Sequence, residues 1–127
     1  MCIRDSRGHT SPSRTITDGV KWPAGIGVDA AGTLYVTNII PGNLEEYHSG
    51  SSKPYHTITQ EMNGPIGITF SPSSWMYVSN FGAQGGGSGP SETILEFAPG
   101  SQTPAKRRIN QGLYLPDGTA FYPPALP

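Results

Sequence analysis

The chain contains an internal repeat, and this repeat restricts the possible folds more than any other feature of the sequence. TITDGVKWPAGIGVDAAGTLYVTN (residues 15–38) aligns with TITQEMNGPIGITFSPSSWMYVSN (residues 57–80) at an offset of 42, with 9 of 24 positions identical. At an offset of 50, NLEEYHSGSSKP (residues 43–54) matches TILEFAPGSQTP (residues 93–104). A third copy begins with RINQGLYLPDGTAFYPP (residues 108–124). A period of 20–50 residues indicates a solenoid, a propeller or a similar array.

Each full copy contains four short segments that are typical of β-strands. In the first copy they are GIGVD (25–29), TLYVTN (33–38), LEEYH (44–48) and HTITQ (56–60). The gaps between them are too short for crossover helices, so neighbouring strands must pair antiparallel. LYV and MYV are apolar on both faces, which predicts strands covered on both sides by neighbouring sheets. No segment shows an apolar period of 3.6 residues, so a helical repeat is not expected.

A four-stranded unit that recurs about every 42 residues is typical of a β-propeller blade. The phrase PxGIxxDxxGxLYVxN, which begins at Pro23, resembles the NHL-repeat family and its relatives among lactonase-like six-bladed propellers. The resemblance covers residues 8–124. We therefore predict an all-β fold: a partial β-propeller with two nearly complete four-stranded antiparallel blades and the start of a third. The repeats are expected at about 14–54, 55–106 and 107–127.

The resemblance also implies roles for several repeated residues. Three equivalent glycines are expected on innermost strands, where a side chain would crowd the central channel: Gly25, Gly67 and Gly118. Asn38 and Asn80 are expected to end the second strand of each blade and to close the following turn through local hydrogen bonds. These expectations concern architecture and do not identify a ligand.

Two segments lie outside the repeat. Residues 1–7 (MCIRDSR) occupy the place of a strand that resembles TILEFAP but do not alternate like a strand, and they are too polar for a signal peptide. We interpret them as a non-native leader without a role in the fold, so that their deletion is expected to leave stability unchanged. Residues 82–90 (GAQGGGSGP) form an insertion with the composition of a flexible linker.

Composition excludes several functional classes. The formal net charge of −1 argues against nucleic-acid binding. No apolar run approaches the 18 or so residues of a membrane-spanning helix. The single cysteine, Cys2, can build neither a disulfide framework nor a thiolate metal site. The sequence leaves the compartment open, and only the family resemblance favours a secreted or periplasmic protein.

The first copy contains a group of histidines and acids that invites a metal interpretation: Glu45, Glu46, His48 and His56. If residues 49–54 form a hairpin turn, His48 faces Tyr55 and His56 faces Tyr47, so the imidazoles project from opposite faces. A zinc site needs three or four convergent ligands. We therefore predict a solvated outer edge at these positions and no metal.

Other catalytic and cofactor signals are weak. Lactonase-like propellers bind a divalent metal through acidic and amide side chains around the channel, and in this chain only Asn38 and Asn80 resemble such ligands. GGGSGP lacks the Lys-Ser/Thr pair that grips phosphate, and no G-x-S-x-G motif is present. We predict no catalytic residues and no cofactor, with a divalent metal only if the parent protein is an enzyme.

The expected function is that of a non-catalytic binding or scaffold module with an unknown protein or small-molecule ligand, docked to the remaining blades of the parent propeller. The alternatives are a fragment of a metal-dependent lactonase- or lyase-type enzyme, and a structural repeat domain of a secreted or envelope protein. Loops on one rim are the predicted binding face, through Lys21, Trp22, Met62, Gly82, Gln84, Gly87 and Tyr114. Alternatively, Trp22 caps the core between blades and the insertion has no role.

Overall fold

The computed structural model describes the backbone of residues 2–3 and residues 11–82, 87, 92–104, 107–114 and 116–118. These residues form ten β-strands and no helix, so the predicted all-β class is confirmed. No element in this part of the chain is a helix long and apolar enough to cross a membrane. The strands are β1 (Cys2–Ile3), β2 (Arg14–Thr15), β3 (Pro23–Val28), β4 (Leu34–Asn38), β5 (Asn43–Tyr47), β6 (His56–Ile58), β7 (Pro65–Phe70), β8 (Met76–Asn80), β9 (Thr93–Phe97) and β10 (Arg108–Ile109).

Eight of these strands form two four-stranded antiparallel sheets, as predicted. The first sheet has the order β3-β4-β5-β6 and the second has the order β7-β8-β9-β10. In both sheets each strand pairs with its neighbour in sequence, so the chain crosses the sheet from its first strand, which we call the inner strand, to its fourth, the outer strand. It then begins the next sheet at that sheet's inner strand.

Strands β1 and β2 form a separate two-stranded sheet, with Cys2 opposite Thr15 and Ile3 opposite Arg14. The prediction that residues 1–7 take no part in the fold is therefore wrong for Cys2–Ile3. At the offset of 42, Arg14 corresponds to His56 of β6, which pairs with Glu46 of β5. Strand β2 is thus equivalent to an outer strand, and β1 occupies the place that β5 has beside β6.

The two sheets meet along β3 and β7, where backbone approaches backbone. The Thr37 hydroxyl donates to the carbonyl oxygen of Ile66 at 2.9 Å and accepts from the Gly25 amide at 2.7 Å. A Cβ atom on Gly25 would collide with that same Ile66 carbonyl. Glycine is therefore required by the contact between sheets, whereas the prediction attributed it to crowding at a channel.

The same junction recurs one repeat later. The Gly67 amide donates to Ser79 Oγ at 2.9 Å, and the Ser79 hydroxyl donates to the carbonyl of Asp117. A Cβ atom on Gly67 would collide with Asp117, whereas one on Gly118 would have nothing within 4 Å. Residues 116–118 of the third copy therefore lie against the second sheet as the start of β7 lies against the first.

The apolar core is repeated as well. One cluster lies between the sheets and contains Leu44, Ile58, Met62, Met76, Val78, Leu95 and Phe97. A second cluster lies on the opposite side of the first sheet and contains Ile16, Leu34, Val36 and Tyr47, with Val20 packed against it. At the repeat offsets, the second cluster corresponds to Ile58, Met76, Val78, Phe97 and Met62 of the first. Each sheet is thus apolar on the side that faces the preceding part of the chain, whereas LYV and MYV predicted apolar residues on both faces.

Asn38 and Asn80 are fully buried and link loops to strands. Asn38 Oδ1 accepts from the Lys21 amide at 2.9 Å, and its Nδ2 donates to the Gly19 carbonyl and to Asn43 Oδ1, both at 2.8 Å. Asn80 repeats the three bonds with its own partners, Asn63, Glu61 and Thr93. The bond to Asn43 spans the turn after β4, as predicted, but the other partners lie in the loop before the inner strand.

Candidate functional site

The predicted rim lies at the end of the sheets where β3 and β7 begin. The Trp22 carbonyl accepts from the Ile39 amide at 3.1 Å, and Asn63 pairs with Gly87 at the start of the second sheet. Gly25 lies beside Ile66, and further along the strands Gly27 lies beside Ile68 and Phe70. Strands β3 and β7 therefore run in the same direction. Trp22 and Gly87 therefore lie at the same end of the two sheets. Trp22 is 70% exposed, so within the described residues it does not cap a core.

The rim residues differ in accessibility. Lys21 and Gly87 are exposed, and Tyr114 is 83% exposed between β10 and residues 116–118. Met62 is fully buried in the core between the sheets, so its predicted role as a surface contact is wrong. Gly82 is also buried, and Gln84 lies outside the described residues.

The predicted solvated edge around Glu45 and Glu46 is also wrong. The side chains are buried, with exposures of 6% and 5%. Glu45 accepts from the Thr57 hydroxyl at 2.6 Å and from Asn43 Nδ2 at 3.0 Å, on one face of the sheet. Glu46 lies opposite His56 on the neighbouring strand, one residue away from the predicted register.

A cleft of about 310 Å³ opens between the two sheets at the end opposite the rim. The first sheet contributes the turn that begins at Asp29, and the second contributes the turn that includes Ser74 and the segment after Phe97. We call this space the inter-sheet cleft. Its side chains that bear charge or rings are Asp29, Tyr35, Glu46, Tyr55, Phe70 and Phe97.

Tyr35 and Asp29 form one side of the inter-sheet cleft. The Tyr35 hydroxyl donates to Asp29 Oδ2 at 3.0 Å, while Asp29 Oδ1 accepts from the amides of Ala31 and Thr33, both at 2.9 Å. The turn therefore fixes the carboxylate. Burial, the hydrogen bond to Asp29 and nearby negative charge hold the pKa of Tyr35 well above its usual value. The Tyr35 ring packs against Phe70, with ring centroids 5.0 Å apart.

Glu46 and Tyr55 extend this polar wall. Burial, followed by a hydrogen bond to Glu46 and the charges of Glu46 and Asp29, raises the pKa of Tyr55 to about 12. The Tyr55 ring also stacks on His48, with centroids 3.7 Å apart and planes 2° apart, although the strand register differs by one residue from the one that predicted their contact. His56 Nδ1 lies 4.0 Å from Glu46 Oε1, outside the cleft lining.

The electrostatic character of the inter-sheet cleft is negative. Its described lining contains two carboxylates and no Lys, Arg or His side chain. The carboxylates raise the pKa of both tyrosines after the effect of burial. A ligand with a positive charge and an apolar body would complement the two carboxylates and the four aromatic rings of the cleft.

Metal-ligand geometry does not occur in the described part of the chain. No group of three or more His, Cys, Asp or Glu side chains there could hold a metal ion. The amide groups of Asn38 and Asn80, the weak candidates from sequence, make hydrogen bonds to protein partners through both their oxygen and their nitrogen atoms.

No protein-family model and no curated protein matches the chain. The fold and the cleft therefore carry the functional argument.

Sequence reasoning missed the inter-sheet cleft because its residues come from two repeats. Tyr35 and Phe70 are 35 positions apart, and Phe97 is a further 27 positions along the chain. The signal that was available is the alternation in LYV, which places Tyr35 on the opposite face from its apolar neighbours. Its partner could be identified only with the order and spacing of the sheets.

Proposed function

We propose that this chain is part of an NHL-like β-propeller and that it acts as a non-catalytic binding module. The proposal is supported by the repetition of one junction, in which a hydroxyl on the second strand of a sheet donates to a carbonyl in the segment that begins the next copy of the repeat. Sheets that follow one another in this way, inner strand beside inner strand, suit the radial stacking of propeller blades.

The inter-sheet cleft is the observation that carries the binding function. It lies between two consecutive sheets, and loops and strand ends from both repeats contribute to it. Clefts of a few hundred Å³ with a few convergent polar groups are the usual form of small-ligand sites. In contrast, Met62 and Gly82 of the predicted rim are buried. Binding at the exposed rim residues stays a prediction.

The ligand class that fits the inter-sheet cleft is a small organic cation. Aromatic faces attract cations, and a carboxylate close to the rings adds a charge partner for an ammonium group. Glu46 is the carboxylate of choice for a test, because Asp29 also organises its own turn through two backbone amides. Removing the Asp29 charge would therefore disturb the fold and the site together.

The test is a titration with choline followed by two-dimensional NMR. We expect saturable shifts of the Tyr35, Tyr55 and Phe70 ring resonances, whereas 3,3-dimethylbutanol, the neutral analogue of the same shape, should bind more weakly. Glu46→Gln should weaken choline binding about 5- to 10-fold, the equivalent of about 1 kcal/mol for one charge contact. Glu92→Gln, outside the cleft lining, is the matched control.

Equal binding of choline and its neutral analogue would contradict the cation specificity. Absence of any shift at the three rings, with the fold intact, would contradict the inter-sheet cleft as a binding site.

A further inference from the structure

The first sheet has an open apolar face. Ile26 and Val28 on β3 are 51% and 58% exposed. At the offset of 42 they correspond to Ile68 and Phe70 on β7, which are half-buried. Those residues are covered by the first sheet: a Cβ atom on Gly27 would lie 3.3 Å from Ile68 and 3.0 Å from Phe70. The same surface is thus covered in the second sheet and open in the first.

The outer strands show a second repeated feature, a basic side chain or histidine near a glutamate of the third strand. In the first sheet His56 lies opposite Glu46, with 4.0 Å between Nδ1 and Oε1. In the second sheet Arg107 Nη1 lies 2.8 Å from Glu96 Oε1. His56 begins its outer strand and Arg107 precedes its own, while each glutamate lies on the third strand and is at least 95% buried.

Arg14 is the first member of this series, and no carboxylate among the described residues forms an ion pair with it. It is the equivalent of His56, and it pairs in register with Ile3 of β1. The Arg14 Nε atom is buried and has no hydrogen-bond partner among the described residues. A buried charged donor without a partner is costly, because it loses hydration without gaining a bond.

The space beside the open face resembles one half of the inter-sheet cleft. A recess of about 200 Å³ there is lined in part by Val28, Gly32 and Leu34. Their equivalents at the offset of 42 line the second-sheet side of the inter-sheet cleft: Phe70, Ser74 and Met76. The inter-sheet cleft is closed on its other side by the first sheet. Among the described residues, no four-stranded sheet closes the recess in the same way.

We propose that this open face, formed by Ile26 and Val28 with Arg14 at its outer edge, is the docking surface for a further four-stranded sheet of the same repeat type. The third strand of that sheet takes the place of β1 and puts a carboxylate opposite Arg14. The occupant is such a sheet because the equivalent surface of this chain is covered by one. The proposal rests on the propeller arrangement proposed above and is independent of any ligand in the inter-sheet cleft.

The first experiment supplies the carboxylate alone, in the full chain. Ile3→Glu places a glutamate in register with Arg14, and we expect it to raise the melting temperature by about 2–5 °C. Ile3→Gln is the uncharged control, and Cys2→Glu, in register with Thr15, is the positional control. Neither should reproduce the gain, and Arg14→Met should abolish it. No gain from Ile3→Glu, or the same gain with Arg14→Met, would overturn the charge pairing.

The second experiment supplies the whole sheet. Residues 1–12 are replaced by a copy of residues 20–54, so that the copied third strand precedes β2 with the spacing found before β6. Hydroxyl-radical labelling of Ile26 and Val28 should fall at least threefold, and the fused chain should unfold in one transition at a higher temperature. Changing the copied Glu46 to Gln should reverse part of the thermal gain.

Two outcomes would overturn the docking surface. In one, the copied strands stay unfolded or fold without protecting Ile26 and Val28 from labelling. In the other, the original chain is already a stable dimer with both side chains protected, which would make a second copy the occupant. Light scattering of both chains distinguishes these outcomes. Neither outcome depends on choline binding, so a failure here is separate from a failure of the proposed cleft.

Discussion

The Thr37 hydroxyl donates to the backbone carbonyl of Ile66 at 2.9 Å and so joins the first sheet to the second. The same oxygen accepts from the Gly25 amide at 2.7 Å, so one buried side chain satisfies backbone groups of two inner strands. Ser79 does the same for Gly67 and Asp117. The repeat in the sequence is therefore also a repeat of the bonds between each sheet and the segment that begins the next copy, and it makes the junction testable by substitution.

Thr37→Val should destabilise the chain by about 1–2 kcal/mol. The substitution keeps the shape of the side chain but leaves the Gly25 amide and the Ile66 carbonyl without this partner in a buried place. Urea denaturation measures the change in the free energy of unfolding. Thr59→Val, at an exposed position, is the control and should change it by less than about 0.5 kcal/mol. Equal losses of stability from Thr37→Val and Thr59→Val would contradict a stabilising role of the Thr37 hydroxyl between the sheets.

Gly25→Ala should cost more than about 2 kcal/mol, because the new methyl group meets the Ile66 carbonyl and the inner strands must separate. Gly118→Ala, at the equivalent position of the third copy, should be nearly neutral since a Cβ atom there meets nothing within 4 Å. Thermal denaturation of the two variants provides the comparison. Similar losses of stability would show that glycine is needed for a reason other than contact between sheets.

Much of the fold could be predicted because the repeat fixes strand order and turn positions together. Strand β4 lies within the predicted TLYVTN segment, and a Cβ atom on Gly25 or Gly67 would collide with neighbouring backbone, although the prediction placed this crowding at a central channel. The pairing of His56 with Glu46 could not be predicted, since the geometry of the preceding turn sets the register. The burial of Glu45 was missed because its partner Thr57 lies on the neighbouring strand and becomes adjacent only in that register.

Ser74→Gly should stabilise the chain by up to about 1 kcal/mol. Ser74 adopts φ +65° at the place where the first copy has Gly32, with φ +84°. A non-glycine residue pays a steric cost in this left-handed region. The turn itself is the same in both copies, because the Ser71 hydroxyl accepts from the Trp75 amide as Asp29 accepts from Thr33. The reciprocal change Gly32→Ser should destabilise the chain. If calorimetry shows that both substitutions shift the melting temperature in the same direction, the explanation is contradicted.

The free energy of unfolding should fall as pH rises from about 10 to 12. Burial, aided by nearby carboxylates, raises the pKa of Tyr47 and of Tyr55 to about 12 in the folded chain, against 10.0 for a free side chain. Below pH 10 both residues are neutral in either state. Above it the unfolded state loses protons first and is favoured. Urea denaturation at pH 8, 9.5 and 11 measures this, and a constant free energy across that range would contradict the raised pKa values.

The position of the second sheet against the first is the central claim, and nuclear Overhauser contacts across β3 and β7 test it most directly. The structure predicts cross-peaks between the Gly27 α-protons and the Phe70 ring, and between the Tyr35 and Phe70 rings, whose centroids are 5.0 Å apart. These peaks should persist on dilution, because they arise within one chain. Cross-peaks within each sheet but none between Gly27, Tyr35 and Phe70 would contradict the account.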